Sequence, residues 1–156
     1  MATSQPLDDL LAKLVCGVSI VTTAWEGSTY GLAVAWASRV SFKPPLLMVS
    51  IGTERYTHDM IAKSGIFAVN VMDRSEIDLV RLFGSTSGKD QDKFAGVSHS
   101  RKATGAPILA AAAASFDCRV VHQYAAGDHT LFVGEILDAA LLHDTQPLVY
   151  QRSDFR

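Results

Sequence analysis

The sequence predicts a mainly β fold, a small antiparallel barrel carrying a few short helices, on three observations. Two strand-like runs, the β-branched 18–23 (VSIVTT) and 30–36 (YGLAVAW), are separated only by a turn-forming stretch around Trp25-Glu26-Gly27-Ser28. A parallel pair needs a crossover of a dozen residues or more, so these runs form an antiparallel hairpin, which argues against a Rossmann-type start. Further strand-like runs recur at 46–51, 67–72, 115–121 and 130–140, with a short one at 148–150. Helical signals are few and short, and many antiparallel strands with occasional inserted helices suit a small barrel.

The elements follow in chain order. Leu7, Leu10, Leu11 and Leu14 recur at steps of three and four residues, which predicts a short amphipathic helix ending near Gly17. After the hairpin, Gly31 to Trp36 ends a strand in small residues. A loop rich in backbone donors and hydroxyls (Ala37, Ser38, Arg39, Val40, Ser41) is expected next, then Pro44-Pro45 and the strand at 46–51. Thr57 is expected to cap a helix over 58–64, with Asp59 in its first turn and Gly65 just past its end. Ser75 and Asp78 form a capping-box pattern for a helix over 76–83 stopped by Gly84. Five alanines at 110–114 favour helix in isolation but lead directly into the strand-like 115–121, so helix and strand both stay open there. The run at 148–150 is expected to close an edge.

Composition bounds the function. The 156 residues are 48% hydrophobic and 19% charged with a formal net charge of −2. They make one domain, residues 1–156, with enough apolar material for a core, and the composition excludes a disordered chain. The mildly acidic balance offers no electrostatic footprint for nucleic acid. No apolar run approaches the length of a bilayer span, and the opening MATSQPLDDLLAKL does not read as a signal peptide, so no membrane partner is expected. Cys16 and Cys118 form no CxxC motif, which points to a reducing cytoplasm.

Several chemistries fail on spacing. Gly84-Ser85-Thr86-Ser87-Gly88-Lys89 has one residue too few between its glycines for a phosphate-binding loop, and Asp90 stands where Ser or Thr is required. Gly17-Val18-Ser19-Ile20-Val21 lacks the second glycine of a nucleophile elbow. The five histidines never pair at helical ligand spacing, so no metal site is expected.

Four segments carry usable chemistry. The small residues around Ala35 let a flat ring approach the backbone, although an ordinary strand and turn has the same composition. Ser50-Ile51-Gly52-Thr53-Glu54-Arg55-Tyr56-Thr57 leads from a strand end into a helix N-terminus, where free N–H groups and a forked cation suit a phosphate; equally, Thr57 could serve only as a cap. Ser87 to Phe94 reads either as a solvated turn or as a flap carrying Lys93 and Phe94. Gly127-Asp128-His129-Thr130 places a histidine where a turn enters a strand.

In this order the segments GVSIVTT, GLAVAWASRVSFKPPLLMVSI, RYTHDMI, SGIFAVNVM, SGKDQDKFAG, GDHTLFVGEI and PLVYQR resemble the flavin reductase-like family over nearly the whole chain. The resemblance implies a Greek-key split β-barrel, the FMN-binding split barrel, usually a homodimer, that holds FMN or FAD. It implies that Ala35, Trp36, Ala37, Ser38 and Val40 line the isoalloxazine, largely through backbone. Ser50, Arg55 and Thr57 would meet the ribityl-phosphate end, Lys93 with Phe94 would close over the flavin, and His129 would face the nicotinamide. Two departures stand out: Glu54 beside the phosphate site, and Gln151-Arg152-Ser153 in place of an aromatic-Arg-Gly ending.

The activity expected is hydride transfer from NADH or NADPH to flavin in an oxidoreductase of the cytoplasm, with His129 as the catalytic-site histidine that positions the donor. The reduced flavin would then serve an oxygenase or redox-protein partner. Two other readings share the fold: a flavoredoxin-like electron carrier without a nicotinamide site, and a catalytically silent ligand- or haem-binding barrel.

Overall fold

A computed structural model describes residues 6–155. In chain order it contains α1 (Leu7–Leu11), β1 (Ser19–Trp25), β2 (Ser28–Val34), β3 (Ala37–Ser41), β4 (Leu46–Gly52), α2 (Tyr56–Ser64) and β5 (Ile66–Val71). A 3-10 turn (Arg74–Glu76) then runs into α3 (Ile77–Ser85), followed by β6 (His99–Arg101), β7 (Pro107–Leu109), β8 (Ala114–Ala126), β9 (His129–Leu141) and a last 3-10 turn (Arg152–Phe155).

Seven strands form one sheet in the order β2-β1-β5-β8-β9-β4-β3, and every pairing in it is antiparallel. The expected hairpin is present, with Ser19 opposite Val34 and Trp25 opposite Ser28. The strands β2 and β3 lie at opposite edges, yet only Ala35 and Trp36 join them. A flat seven-stranded sheet would be about 29 Å across, whereas such a link reaches at most about 11 Å. The sheet therefore rolls until its edges meet, and Trp36 O, accepting from Ser50 N at 3.0 Å, fastens the crossing to β4. Among the described strands β2 pairs only with β1, so the rolled sheet stays open along one seam as a split barrel.

Alternation along β1 divides the apolar residues between two cores. Val21 faces the barrel interior with Val49, Ile51, Ile61, Phe67 and Phe132. Ile20 faces outward, where it packs with Met72, Val80, Phe83, Phe94 and Leu148 under α3. The β6–β7 ribbon is fixed by Asn70, whose buried amide donates to Ile20 O at 3.0 Å and accepts from Leu109 N at 2.8 Å.

Several expectations need correcting. The residues 37–41 are a strand, not a loop, because β4 supplies a partner for them (Ala37 opposite Val49, Ser38 opposite Met48), with a bulge between Arg39 and Ser41. Thr57 does not cap α2: the helix begins two residues earlier than expected, at Tyr56 behind Arg55, and Thr57 is buried in its first turn. Gly65 ends that helix in the left-handed conformation, φ 70°, as expected. The cap before α3 is Asp73, which accepts from Ser75 N at 2.9 Å, and α3 runs through Gly84 to Ser85. Gly84 lies against β2, where a Cβ would sit in ordinary contact 3.5 Å from the Ala33 Cβ. The alanine tract is a turn that enters β8, with Ala112 and Ala113 buried. Residues 147–149 make isolated bridges to Asp73 and Gly17 rather than a strand.

The Lys93 and Phe94 side chains also lie elsewhere than expected. Phe94 packs edge-on against Phe83, with ring centroids 5.2 Å apart, inside the outer core. Lys93 is buried, and its Nζ donates to Gly31 O at 2.9 Å and Phe83 O at 3.1 Å. Neither residue forms a flap over the groove described below. Burial, with a smaller contribution from nearby Arg55, lowers the Lys93 pKa to about 8.

Two predictions follow from this packing. At Gly134 a Cβ would lie 2.6 Å from Phe67 Cζ and 2.8 Å from Cys118 Cβ. Gly134→Ala is therefore expected to lower the unfolding free energy by about 1–3 kcal/mol in urea titrations, while Gly17→Ala, with only Leu148 O at 3.8 Å, changes it little. The folded chain holds the Lys93 proton less tightly than the unfolded chain does. Between about pH 8 and the ordinary lysine value of 10.5 the unfolded state binds the extra proton, and stability rises with pH. Lys93→Met should remove that rise, seen as the difference between the two unfolding free energies followed from pH 7 to 10.5.

Candidate functional site

Where the sheet edges meet, a cavity of about 310 Å³ opens between the end of β2, the end of β4, Arg55, His129 and Tyr150. The floor is cut low by small residues, Ala33 and Ala35 on one side and Gly52 on the other. Thr53, just beyond β4, joins the walls: its N–H donates to Asp128 O at 2.9 Å and its hydroxyl donates to the same oxygen at 3.2 Å. This pins the β8–β9 turn beside the entry to α2 and brings His129 against Gly52. A Cβ at Gly52 would be 3.5 Å from Arg55 Cγ and 3.8 Å from His129 Nε2, so both side chains flank that glycine.

His129 is oriented by its neighbours. Its Nδ1 is 2.7 Å from the Asp128 carboxylate, which fixes the proton on Nδ1 and leaves Nε2 toward the groove. The same hydrogen bond holds the Asp128 carboxyl below the usual carboxylate range. The Trp36 indole lies against the imidazole with ring centroids 4.9 Å apart. Arg55 forms no ion pair among the described residues, and Glu54, exposed beside it, does not engage it. An unpaired guanidinium, a hydroxyl at Ser50 and small residues at the floor fit a flat ring that carries an anionic tail.

Through residues 33–35, Arg55 and Tyr150 the cavity continues into an outer lobe of about 500 Å³, walled by Val18, Arg81, Gly84, Ser85 and Phe155. Among the described residues no group of three His, Cys, Asp or Glu side chains could hold a metal ion. Among those residues no helix is long and apolar enough to cross a membrane.

Of the residues singled out in the sequence, the structure brings Ala35, Trp36, Ser50, Arg55 and His129 together around one cavity. Ala37, Ser38 and Val40 follow along β3 with exposed side chains and do not line it. Thr57 is buried behind the helix start, while Lys93 and Phe94 lie in the outer core. Sequence reasoning missed Tyr150, which lines both lobes, and Asp128, the partner of His129. Both stand in segments the resemblance had matched, PLVYQR and GDHTLFVGEI, so a signal was present for each.

Comparison with known proteins bears on the family and the fold. The family profile described as "Flavin reductase like domain" matches residues 11–156. The FMN reductase (NADH) RutF of Variovorax paradoxus is 36% identical over 140 residues, covering 90% of this chain and 77% of that protein. The reductase subunit HsaB of a flavin-dependent monooxygenase of Rhodococcus jostii is 30% identical over 146 residues, covering 94% and 73%. Among solved structures, the NADH:FAD oxidoreductase SgcE6 of Streptomyces globisporus superposes with a TM-score of 0.87 at 25% identity, covering 100% of this chain and 95% of the other. The rolled antiparallel sheet, the groove at its seam and these matches together place the chain in the flavin reductase family.

Proposed function

We propose that this chain is a flavin reductase that binds FMN in the groove at the barrel seam and reduces it with NADH, and that Arg55 anchors the flavin phosphate. The observation that carries this reading is the unpaired Arg55 guanidinium beside a floor of small residues at the meeting point of the sheet edges. When bound, the flavin supplies the ring that accepts hydride from the dihydronicotinamide.

The chain itself binds, orients and screens. Ala33 and Ala35 keep side chains out of the ring plane, and Arg55 holds the anionic end by a charge-assisted contact. With its proton on Nδ1, His129 presents Nε2 as an acceptor for an amide N–H, such as that of a nicotinamide carboxamide. Hydride transfer calls for no side-chain acid or base, so catalysis here consists of alignment of the two rings.

The reduced flavin would pass to an oxygenase partner, a reading supported by the likeness to monooxygenase reductase components. A homodimer fits the exposed Val40, Phe42, Leu137 and Leu141 on and around β3 and the β8–β9 hairpin, apolar side chains that a second copy would cover. The free Cys16 and Cys118 suit a reducing cytoplasm.

Anaerobic mixing of the FMN-loaded protein with NADH is expected to bleach the flavin band faster than free FMN bleaches. Flavin that stays oxidised until dithionite is added would instead identify an electron carrier. Arg55→Ala should weaken FMN binding about tenfold or more, as expected for loss of a charge-assisted contact, read by flavin fluorescence. His129→Ala should raise the KM for NADH with FMN affinity unchanged, and an unchanged KM would remove His129 from the donor site. Sedimentation at micromolar concentration should give twice the chain mass, and a monomer would overturn the dimer.

A further inference from the structure

We propose that the turn between β5 and α3, Asp73-Arg74-Ser75, is a remote positioning element for the groove. It fastens the C-terminal segment on both sides of Tyr150 and so holds the Tyr150 ring in place as a groove wall. This rests on the flavin-reductase reading for the ligand of the groove, and Asp73 and Arg74 themselves line neither lobe.

Beyond β9 the chain has no ladder to fix its course, only isolated bridges and the closing 3-10 turn. Individual contacts set its path instead. Upstream of Tyr150, the Asp73 carboxylate accepts from the Thr145 hydroxyl at 2.8 Å, and the Asp73 backbone bridges Pro147. Leu148 is buried there, with its N–H donating to Met72 O at 2.7 Å. Downstream of Tyr150, the Arg74 guanidinium grips the Asp154 carboxylate through two contacts, 3.3 and 2.9 Å. These bonds hold the Asp154 carboxyl below the usual carboxylate range. Arg81 Nε adds a bond to the Asp154 carbonyl at 2.7 Å. The turn is rigid in its own right, because buried Asp73 accepts from the N–H and the hydroxyl of Ser75. Two neighbouring residues on one stiff turn thus hold both flanks of the same segment.

Tyr150 lies between these fastenings. Its N–H donates to Cys16 O at 2.8 Å, and its ring is parallel to that of Phe155 within 8°, with centroids 5.5 Å apart. Phe155 follows Asp154 directly and packs against the outer core. The Arg74–Asp154 pair therefore sets where Phe155 sits, Phe155 backs Tyr150, and Tyr150 walls both lobes. Neither Arg74 nor Asp154 belongs to the two large cores, so loss of the pair frees the wall without unfolding the barrel.

The test uses the full chain with Arg74→Gln and Asp154→Ala, each alone and in a Tyr150→Ala background, and reads FMN affinity by flavin fluorescence. The two substitutions change charge in opposite directions but break the same clamp. Each is expected to weaken FMN binding about two- to fivefold, the worth of an exposed ion pair. In the Tyr150→Ala background neither should weaken it further, because both act through that ring. Opposite effects of the two substitutions would mark a field acting on the flavin phosphate and overturn the clamp. Effects that persist in full without Tyr150, or no effect at all, would overturn it equally. Amide hydrogen exchange without flavin supplies a separate reading. Both substitutions should speed exchange over residues 149–155 and leave β1 and β5 unchanged, and unchanged exchange at 149–155 would sink the clamp. Failure of the wild-type chain to bind FMN would count against the reductase reading, and the clamp would then stand or fall on exchange alone.

Discussion

The fold depends on a two-residue link. Because Ala35 and Trp36 must carry the chain from one edge of a seven-stranded sheet to the other, the sheet has no freedom to lie open. Closure in turn dictates the site. The link cannot be covered by a regular ladder on both sides, so the seam remains a groove, and whatever lines the link lines the groove. Ala35 is small enough to leave that space free. Trp36 turns its side chain outward onto His129 while its carbonyl takes the Ser50 N–H. The position of the binding groove is thus a geometric result of closing the barrel rather than an addition to it.

A second constraint is electrostatic. Lys93 keeps a positive charge in the interior with two carbonyls, Gly31 O and Phe83 O, as its partners, and burial together with the nearby Arg55 charge disfavours that charge. Such an arrangement costs stability. Gly31 belongs to the same arrangement for a steric reason. A Cβ there would meet Phe83 at 2.9 Å, so glycine allows α3 to press close enough for Lys93 to bridge β2 and the helix.

Much of this was legible in the chain. The hairpin followed from the short gap between two strand-like runs, and most of the sheet followed from runs bounded by proline and glycine. The strand β3 was not legible, because Ala37, Ser38 and Arg39 have no strand composition of their own and are extended only by pairing with β4. The helix starts failed for a related reason. Thr57 and Ser75 are good caps in isolation, but burial claimed Thr57, and Asp73 reached the Ser75 N–H first. At the candidate site, the placement of Ala35 beside the groove was readable, whereas Ala37, Ser38 and Val40, taken for the same loop, are carried away along β3. Lys93 was not readable either, since whether a lysine in a polar loop points outward or inward is settled by carbonyls distant in sequence.

The two ends of the described chain are laced together: Val18 N donates to Leu148 O, Tyr150 N to Cys16 O, and Asp9 pairs with Arg152. This is the geometry that tolerates circular permutation and end-to-end fusion. A second domain joined to either end, an oxygenase for instance, would be tethered over the same face. The groove lies beside that face, so a linker of a few residues would hold the two centres at high effective concentration whichever gene came first.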